Sequence, residues 1–295
     1  MLQLPTPLQQ IREDFIDDKN IKLFIKRDDL IHTLISGNKW RKLKYNIEAF
    51  KQSNKKYILT FGGAFSNHIT ATAATGKWLN IPTIGIIRGE ELHKNSNVVL
   101  QEASQNGMQL YFVDRTIYRQ KEININIFKN SINKNWNDVF VIEEGGANAL
   151  AMKGCEEIVH EINIDFNFIY TASGTATTAF GLANACKNNQ QVVAISALKG
   201  IDYIKSNLYH QVKNKNVLQF KQDIFGGYAK YNNTLIEFIK NFHQQHHILL
   251  DYIYTGKMMY QLYHDIKENS IPNNSTVVAL HTGGIANANY LKLAY

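Results

Sequence analysis

Cysteine, proline and long apolar runs are all scarce in this chain of 295 residues. The two cysteines, Cys155 and Cys186, have neither a Cys-x-x-Cys spacing nor a histidine pattern around them, which predicts no disulfide framework and no zinc site. No uninterrupted apolar run is long enough to span a bilayer, and residues 1–10 lack the basic start and apolar core of a signal peptide. We therefore expect a cytoplasmic protein without a membrane partner.

Basic residues outnumber acidic ones, but they form no run. The chain has 32 Lys and Arg residues against 25 Asp and Glu residues, a net charge of +7 and a pI near 9.1. Proteins that bind nucleic acid concentrate such charge in a patch or stripe that follows the phosphate backbone. Here the lysines are scattered among asparagines and acids, so we interpret the excess as solvated surface and expect no nucleic-acid partner.

Short apolar segments typical of strands alternate with patterns typical of helices, in a chain long enough for two domains. The strands are predicted at 21–26, 57–61, 81–87, 109–113, 139–142, 166–171 and 192–196, and the helices at 39–50, 66–79, 95–106, 177–186 and from Ala147 to about 162. The alternation predicts an α/β fold with mostly parallel sheets covered by helices on both faces. Residues 114–137, rich in Asn, Lys and Ile, are expected to be irregular or weakly helical.

Lys39 stands in the stretch Ser36-Gly37-Asn38-Lys39-Trp40-Arg41-Lys42-Leu43, behind a Gly-Asn turn and on the first turn of a predicted helix. The turn and the start of the helix can hold the Lys39 backbone in place, so that its ammonium points into a pocket. Burial beside apolar groups lowers the pKa of a lysine and frees its amine to form a Schiff base with an aldehyde. Most lysines near a helix start are solvated, so the neighbouring motifs must decide.

Two predicted strand-to-helix turns offer backbone N–H groups to anions. Residues 171–178 (Thr-Ala-Ser-Gly-Thr-Ala-Thr-Thr) are small or carry hydroxyls, and the unsatisfied N–H groups and dipole of the following helix can bind a phosphate dianion. The alternative is a plain N-cap cluster that starts a core helix. Ser66-Asn67-His68 lies likewise at a predicted helix start, behind Gly62-Gly63, and suits a carboxylate.

Three blocks in a fixed order carry a resemblance to a known family. Lys26–Leu30, Gly37–Leu43 and Gly62–Asn67 match the Arg-Asp-Asp-Leu, Gly-Asn-Lys-x-Arg-Lys-Leu and Gly-Gly-x-x-Ser-Asn segments of the pyridoxal-phosphate enzymes that include 1-aminocyclopropane-1-carboxylate (ACC) deaminase and D-cysteine desulfhydrase. The tract 281–284 extends the resemblance, in weaker form, over nearly the whole chain.

The resemblance implies an architecture and partners. The expected fold is the two-domain, tryptophan synthase β-like fold (fold type II), with residues 43–144 as the smaller domain. Residues 1–42 and 145–295 would form the larger domain, which binds the cofactor. The resemblance also implies pyridoxal 5′-phosphate as the cofactor, a small amino acid as the substrate and a homodimer.

The same resemblance implies catalytic roles. Lys39 would hold the cofactor and remove the α-proton, Ser66 would take part in catalysis, and Tyr254 would lie near the pyridoxal ring and the substrate. Tyr228 would be a second active-site tyrosine, with Tyr231 as a nearby alternative.

Further residues are implied to bind the cofactor. Asn67 would bond the pyridoxal hydroxyl, Thr282 would contact the ring nitrogen, and His68 would shape the pocket without titrating. The phosphate loop would comprise Gly174, Thr175, Ala176, Thr177 and Thr178. Related enzymes have a Gly-Thr-Gly-Gly-Thr type loop there, and this chain carries Ala176 and Thr177 where those enzymes have glycine.

Thr255 and Thr282 distinguish between members of the family. ACC deaminases resemble this chain but carry glutamate and leucine at these two positions. A threonine hydroxyl beside the ring nitrogen favours a neutral pyridine, a weaker electron sink that suffices for α-proton loss and expulsion of a good leaving group from the β-carbon. The pair therefore favours elimination from D-cysteine to pyruvate, sulfide and ammonia.

Three alternatives stay open. One is ACC deamination, and another is elimination from a different amino acid with a leaving group such as sulfonate or chloride at the β-carbon. The third is a protein that binds pyridoxal phosphate or an amino acid without turnover. The set Lys39, Ser66 and Tyr254 weighs against the third, because a binding protein needs no proton-transfer groups.

Overall fold

Two sheets organise the protein. The computed structural model describes residues 2–35, 37–122, 125–200, 202–203 and 206–284, so Ser36 of the Lys39 stretch lies outside the described residues. The strands are β1 (Leu8–Ile11), β2 (Lys22–Lys26), β3 (Tyr57–Gly62), β4 (Thr83–Arg88), β5 (Gln109–Val113), β6 (Val139–Ile142), β7 (Phe168–Ser173), β8 (Gln191–Ser196), β9 (Leu218–Gln222) and β10 (Thr276–Leu280).

The described strands pair mostly in parallel. The larger sheet has the order β1-β2-β10-β7-β8-β9, in which β1 and β2 pair antiparallel and each other described pair is parallel. The smaller sheet has the order β5-β4-β3-β6, with parallel pairing throughout. The predicted α/β class with mostly parallel sheets is confirmed.

Helices connect the strands. They are α1 (Asp14–Asp17), α2 (Asn38–Gln52), α3 (Asn67–Leu79), α4 (Val98–Gln105), α5 (Arg115–Arg119), α6 (Ala149–His160), α7 (Thr177–Ala185), α8 (Asn207–His210), α9 (Asn233–His246) and α10 (Thr255–Lys267). Short 3-10 turns lie at Asp28–Leu30, Gln120–Glu122, Ile125–Asn130, Trp136–Asp138, Glu144–Gly146 and Lys215–Val217. None of the helices in the described part of the chain combines the length and apolar composition needed to cross a bilayer.

Both faces of the larger sheet are buried, because successive residues of each strand pack into different layers. On β8, Val193 and Ile195 pack with side chains of α9 and α10, whereas Val192 and Ala194 pack with side chains of α6 and α7. A sheet covered on both faces needs strands that are apolar at nearly every position. This burial explains why the strands read as short continuous apolar runs in the sequence.

The polar segment 114–137 covers one face of the smaller sheet. Its described residues form short helical pieces, as expected, while residues 123–124 lie outside the described residues. Tyr118 and Phe128 from this segment are buried against Leu59 and Phe61 of β3. A few apolar anchors in a polar segment thus close the core of this sheet.

Several element ends differ from the predicted ones. The predicted strand at 166–171 lies at Phe168–Ser173, and the predicted helix at 95–106 is shortened to Val98–Gln105 because the Asn97 side chain accepts a hydrogen bond from the Leu100 N–H and caps it. The division of the chain at residues 43 and 145 stays a prediction. All strands of the smaller sheet lie between residues 57 and 142.

A buried ion network fixes the position of α2. The Arg41 guanidinium contacts the Asp28 carboxylate at 3.0 Å and also pairs with Glu161, to which Lys26 Nζ donates at 2.7 Å. On the same helix, the Arg41 carbonyl oxygen lies only 1.9 Å from where a Cβ on Gly154 would be, so α2 and α6 approach each other through a glycine. The ion network joins the end of β2 to the helix that carries Lys39.

Candidate active site

The carboxyl ends of three parallel strands lie at one edge of the larger sheet, and each strand leads into a segment that the sequence analysis singles out. β2 leads to residues 27–39, β7 to residues 174–178 and β10 to residues 281–284. In open α/β sheets, ligands bind in the crevice at this edge. We therefore take this edge as the candidate active site.

Hydrogen bonds from Asn38, the first residue of α2, join the three segments. Its backbone N–H donates to the Thr282 carbonyl oxygen at 3.3 Å, and its side-chain Nδ2 donates to Thr178 Oγ1 at 2.8 Å. The start of the Lys39 helix, the predicted phosphate loop and Thr282 are therefore neighbours in the structure.

Lys39 lies on the first turn of α2, partly buried, with its Nζ donating to Asn38 Oδ1 at 3.1 Å. Desolvation lowers the pKa of its ammonium to about 7, the charge of Lys42 lowers the pKa further, and the nearby Cys155 and Asp251 oppose the shift. A large fraction of the amine is therefore unprotonated at neutral pH. An unprotonated lysine in a fixed position can act as a nucleophile toward an aldehyde or as a base.

The predicted phosphate loop lies at the start of α7, as the sequence indicates. Ala176 is the N-cap residue and has a φ of 60° and a ψ of −5°, which is the left-handed region. Glycine adopts this region freely, whereas alanine does so at a cost of about 1–2 kcal/mol. The replacement of glycine by Ala176 is therefore accommodated in a turn that glycine would favour.

One polar atom of this loop is without a partner. Thr175 Oγ1 and Thr177 Oγ1 hydrogen-bond each other at 3.1 Å, whereas the buried Ser173 Oγ has no hydrogen-bond partner among the described residues. A Cβ on Gly174 would lie 3.5 Å from Cε1 of Tyr254. A hydroxyl that is buried without a partner costs free energy, which a bound polar group would recover.

Lys42 is a buried cation beside the same loop. Its Nζ donates to the Gly145 carbonyl oxygen at 3.1 Å and to Thr175 Oγ1 at 3.4 Å, and within the described residues no carboxylate pairs with it. Desolvation lowers the pKa of its ammonium. A buried ammonium without a counter-ion is unfavourable, so Lys42 together with Thr175 forms a site that a phosphate group would complete.

Replacing Lys42 by methionine tests this inference. We expect the dissociation constant for pyridoxal phosphate to rise about 10- to 100-fold, because a charge-assisted hydrogen bond contributes about 1.5–3 kcal/mol. Binding is measured by titrating the cofactor-free protein with pyridoxal phosphate and, separately, with pyridoxal, which lacks the phosphate. Lys44→Met on the same helix is the control, since Lys44 pairs with Glu157. Equal losses for the two ligands would exclude a phosphate role for Lys42.

Ser66 and Asn67 lie at the start of α3, at the carboxyl end of β3. Ser66 is the N-cap residue, and its side chain makes no capping hydrogen bond. The first N–H groups of a helix have no acceptor within the helix. The hydroxyl of Ser66 and the start of α3 thus offer donors to a carboxylate, as the sequence analysis expects; the catalytic roles of Ser66 and Asn67 stay predictions.

His68 connects α3 to β3. Thr60 Oγ1 donates its proton to the Ile142 carbonyl oxygen, so it accepts a hydrogen bond from His68 Nε2–H at 2.8 Å. Desolvation, with smaller contributions from the charges of Lys39 and Lys42, holds the pKa of His68 well below its usual value. His68 is therefore neutral at physiological pH, which supports the prediction that it shapes the pocket without titrating.

Tyr254 and Tyr228 pack on each other next to the loop. Their ring centroids are 6.2 Å apart, in an edge-to-face arrangement. Desolvation raises the pKa of Tyr254 well above its usual value, so this hydroxyl keeps its proton. The alternative Tyr231 packs instead on Tyr252, with ring centroids 5.0 Å apart. The structure therefore places Tyr228 next to Tyr254.

Asp251, which the sequence analysis does not single out, holds the turn before α10. Its carboxylate accepts hydrogen bonds from the backbone N–H groups of Ile253, Tyr254 and Thr255 at 2.7–2.9 Å, and from the Thr255 hydroxyl at 2.7 Å. Thr255 Oγ1 in turn accepts a hydrogen bond from the Asp251 N–H at 2.9 Å. The Thr255 hydroxyl is thus committed to the turn that carries Tyr254.

Thr282 differs from Thr255 in this respect. Its side-chain hydroxyl makes no hydrogen bond to any residue that the structure describes, although its carbonyl oxygen accepts from Asn38. The preceding His281 is fixed by Nε2, which donates to the Leu249 carbonyl oxygen at 2.8 Å, and by Nδ1, which accepts from the Gly283 N–H. Of the two threonines, Thr282 is the one whose hydroxyl is available to a ligand.

Sequence signals existed for both residues that the sequence analysis missed. Lys42 is three positions after Lys39 on a predicted helix, and residues three apart lie on the same helix face. Asp251 precedes Thr255 by four positions at a helix start, where a short acidic side chain commonly bonds nearby backbone N–H groups. Lys42 also belongs to the Gly-Asn-Lys-x-Arg-Lys-Leu block, whereas no motif marks Asp251 among the other acids.

Comparison with known proteins identifies the family of this chain. A sequence profile described as "Pyridoxal-phosphate dependent enzyme" matches residues 1–283. The chain belongs to this family. The bifunctional D-cysteine desulfhydrase/1-aminocyclopropane-1-carboxylate deaminase of Arabidopsis thaliana is 26% identical to it, over 97% of this chain and 77% of that protein. The D-cysteine desulfhydrase of Klebsiella pneumoniae is also 26% identical, over 96% of this chain and 93% of that protein.

The fold is shared with a solved structure. A protein described as an ACC deaminase homologue superposes with a TM-score of 0.83, covering 99% of this chain and 94% of that one at 23% identity. The resemblance that the ordered motifs carry, the enzyme class and the cofactor are therefore confirmed. The homodimer, the cytoplasmic location and the absence of a nucleic-acid partner stay predictions.

The residues present fit pyridoxal phosphate. Four groups lie at one edge of the larger sheet. They are the Lys39 amine with its lowered pKa, the buried Lys42 ammonium, which pairs with no described carboxylate, and the hydroxyls of Ser173 and Thr282, which have no partner among the described residues. Lys39 would bind the aldehyde, Lys42 and the loop of Thr175 the phosphate, and Thr282 the ring nitrogen. Among the described residues, no group of three or more His, Cys, Asp or Glu side chains is arranged to hold a metal ion.

Proposed function

We propose that this family member is a lyase that performs α,β-elimination on a small amino acid, and that D-cysteine is its substrate. The observation that carries the proposal is the pairing of a weakly basic Lys39 with an uncharged Thr282 hydroxyl that has no partner in the described part of the chain. The names of the relatives from Arabidopsis thaliana and Klebsiella pneumoniae support the same reaction.

The chain's own residues supply binding and proton transfer. When bound, pyridoxal phosphate withdraws electrons from the α-carbon of the amino acid, which makes the α-hydrogen acidic and lets the β-substituent leave with its electron pair. The Lys39 amine would accept the α-proton, since its lowered pKa leaves a large fraction of it unprotonated at neutral pH. Ser66 and the start of α3 would hold the carboxylate and fix the α-carbon near that amine.

Tyr254 would supply a proton. Because desolvation raises the pKa of its hydroxyl well above the usual value, Tyr254 keeps its proton at neutral pH. For D-cysteine, the bond between the β-carbon and sulfur breaks and the sulfur leaves as sulfide. The remaining enamine then takes up water and releases ammonia, so that the products are pyruvate, sulfide and ammonia without any change in overall oxidation state.

The test compares D-cysteine, L-cysteine and ACC as substrates of the protein loaded with pyridoxal phosphate. We expect pyruvate from D-cysteine at about 1 s⁻¹ or faster, a common turnover for enzymes, and at least tenfold less product from the other two. Pyruvate is measured for the cysteines and 2-oxobutanoate for ACC. Release of 2-oxobutanoate without pyruvate would replace the proposal by ACC deamination, and a ligand-induced spectral change without product would favour a binding protein.

Thr282 and Thr255 provide matched variants for this assay. Thr282→Val keeps the side-chain shape and removes the hydroxyl, so we expect turnover to fall while thermal stability is retained. Thr255→Val removes two hydrogen bonds to buried Asp251, and we expect it to lower stability as well. Thr282→Ser should restore turnover, because it keeps the hydroxyl.

A further inference from the structure

Arg88 ends β4 at the carboxyl edge of the smaller sheet, with an exposed side chain. Its Nη2 lies 3.4 Å from where a Cβ on Gly63 would be. Gly63 precedes Ser66 and the start of α3, where the substrate carboxylate is expected. The guanidinium therefore lies beside the turn that leads into the proposed carboxylate site.

The charge of Arg88 also reaches Tyr228. Desolvation raises the pKa of the Tyr228 hydroxyl, and the positive charge of Arg88 is among the influences that oppose that rise. This effect agrees with the position of the guanidinium beside Gly63, in the turn that leads to the start of α3.

The polar segment 114–137 holds Arg88 in this place. The guanidinium carbon of Arg88 lies 5.8 Å from the ring centroid of Tyr118, and Lys121 Nζ lies 4.3 Å from the same centroid. Lys121 is neutralised by Glu144 at 3.1 Å. Contact with an aromatic ring stabilises a guanidinium without using its N–H groups in hydrogen bonds to a carboxylate.

The charge of Arg88 is unmatched in the described part of the chain. No carboxylate there lies within ion-pair distance of it, and its side chain makes no hydrogen bond to a described residue; Arg27, Arg41 and Arg115 all pair with carboxylates. An exposed arginine is commonly solvated surface, but this one combines a missing partner with an aromatic support and a location at the site. A guanidinium with free N–H groups binds carboxylate, sulfonate and phosphate groups in a two-pronged manner.

We propose that Arg88 forms an anion-binding subsite that recognises a negatively charged substituent on the β-carbon of the amino-acid substrate. The subsite rests on the proposed elimination reaction and extends its substrates from D-cysteine to amino acids with an anionic β-substituent. For a sulfonate, the bond between the β-carbon and sulfur breaks and sulfite leaves with the electron pair. Hydrolysis of the remaining enamine then gives pyruvate and ammonia, so no oxidant or reductant is needed.

The experiment uses amino acids that all give pyruvate on elimination. 3-Sulfoalanine and O-phosphoserine carry a charge at the β-substituent, while cysteine and 3-chloroalanine do not; each is supplied as both enantiomers. Dissociation constants come from the spectral change of the cofactor-loaded protein on titration, and kcat/KM comes from pyruvate release. Binding is thus read independently of turnover.

Arg88→Gln removes the charge, and Arg88→Lys keeps it without the planar fork. Arg115→Gln is the control, since Arg115 lies in the segment 114–137 that contacts Arg88 but pairs with Glu91. We expect Arg88→Gln to reduce the affinity for anionic relative to neutral amino acids about 10- to 100-fold. Arg88→Lys should show an intermediate reduction, and Arg115→Gln should leave the ratio within about twofold.

The pattern of affinity losses supports or overturns the Arg88 subsite. An equal loss for all four amino acids would mean that Arg88 binds the shared α-carboxylate, and an unchanged ratio in Arg88→Gln would mean that it binds no substrate anion; either result overturns the proposal. So does the absence of any spectral response to the anionic amino acids in the unmodified protein. A selective loss of affinity without pyruvate from any amino acid would support the subsite and refute the proposed elimination reaction.

Discussion

Lys39→Ala is expected to abolish the long-wavelength absorbance that a lysine amine gives with bound pyridoxal phosphate, and to reduce turnover at least about 10³-fold. Both effects have one cause, because the same amine would bind the aldehyde and accept the α-proton. The neighbouring Lys42 is engaged with Gly145 and Thr175 at the predicted phosphate loop.

The pH dependence provides a second measurement on the same residue. The pKa of Lys39 in the folded protein is about 7, below its usual 10.5, so the amine gains a proton as the pH falls below about 7. We expect the rate at which the cofactor-free protein captures pyridoxal phosphate to be steady above this pH and to fall about tenfold per pH unit well below it. Absorbance stopped-flow measurements between pH 5.5 and 9 would show the transition.

Lys44→Ala is the control for both measurements, since Lys44 lies on α2 and pairs with Glu157. A Lys39→Ala protein that kept the full cofactor spectrum and turnover would assign the chemistry to another residue. A capture rate that kept rising about tenfold per pH unit up to pH 9 would show that Lys39 keeps the pKa of a solvated lysine.

The candidate site was predictable where a motif is local. Lys39, Ser66 and the loop around Thr175 each lie within a few residues of a strand end, so that a Gly-Asn turn or a strand-to-helix boundary marks them in the sequence. Lys39 and the loop around Thr175 lie at one edge of the larger sheet because parallel strands bring their carboxyl ends to the same side, whereas Ser66 follows a strand of the smaller sheet.

Contacts between residues that are distant in the sequence could not be predicted from local motifs. Thr255 and Thr282 look equivalent as a pair in the sequence, yet Asp251 takes up the hydroxyl of Thr255 and leaves that of Thr282 available. Likewise, the polar segment 114–137 gives no periodic signal, because only isolated side chains such as Tyr118 and Phe128 face the smaller sheet. Arg88 is held by the ring of Tyr118, thirty positions further along the chain, and no local pattern in the sequence predicts this contact.

Both ends of the chain contain elements that the sequence does not predict. In the final third these are β9, α9, α10 and β10. Near the start it is β1, because a four-residue antiparallel edge strand has too few positions to establish a pattern. Order within the sheet depends on these strands: β10 inserts between β2 and β7 and thereby brings Thr282 next to Gly37.

Gly37→Ala is expected to be the most damaging substitution outside the catalytic groups. Gly37 has a φ of 66° and a ψ of −151°, a conformation that is essentially restricted to glycine. A Cβ there would lie 1.8 Å from the Thr282 carbonyl oxygen and 2.6 Å from the Gly283 nitrogen. Both are backbone atoms, so α2 and the end of β10 would have to separate, and Lys39 and Thr282 would move apart with them.

We expect Gly37→Ala to lower the free energy of unfolding by about 3–5 kcal/mol, the sum of backbone strain and steric overlap, and to weaken binding of pyridoxal phosphate. Urea unfolding and cofactor titration measure the two effects. Gly107→Ala is the matched control, because Gly107 also has a positive φ, of 86°, but no atom within 4 Å of the added Cβ; it isolates the backbone cost of about 1–2 kcal/mol. If both variants lost the same stability and both kept full cofactor affinity, the contact between Gly37 and Thr282 would not be what positions Lys39.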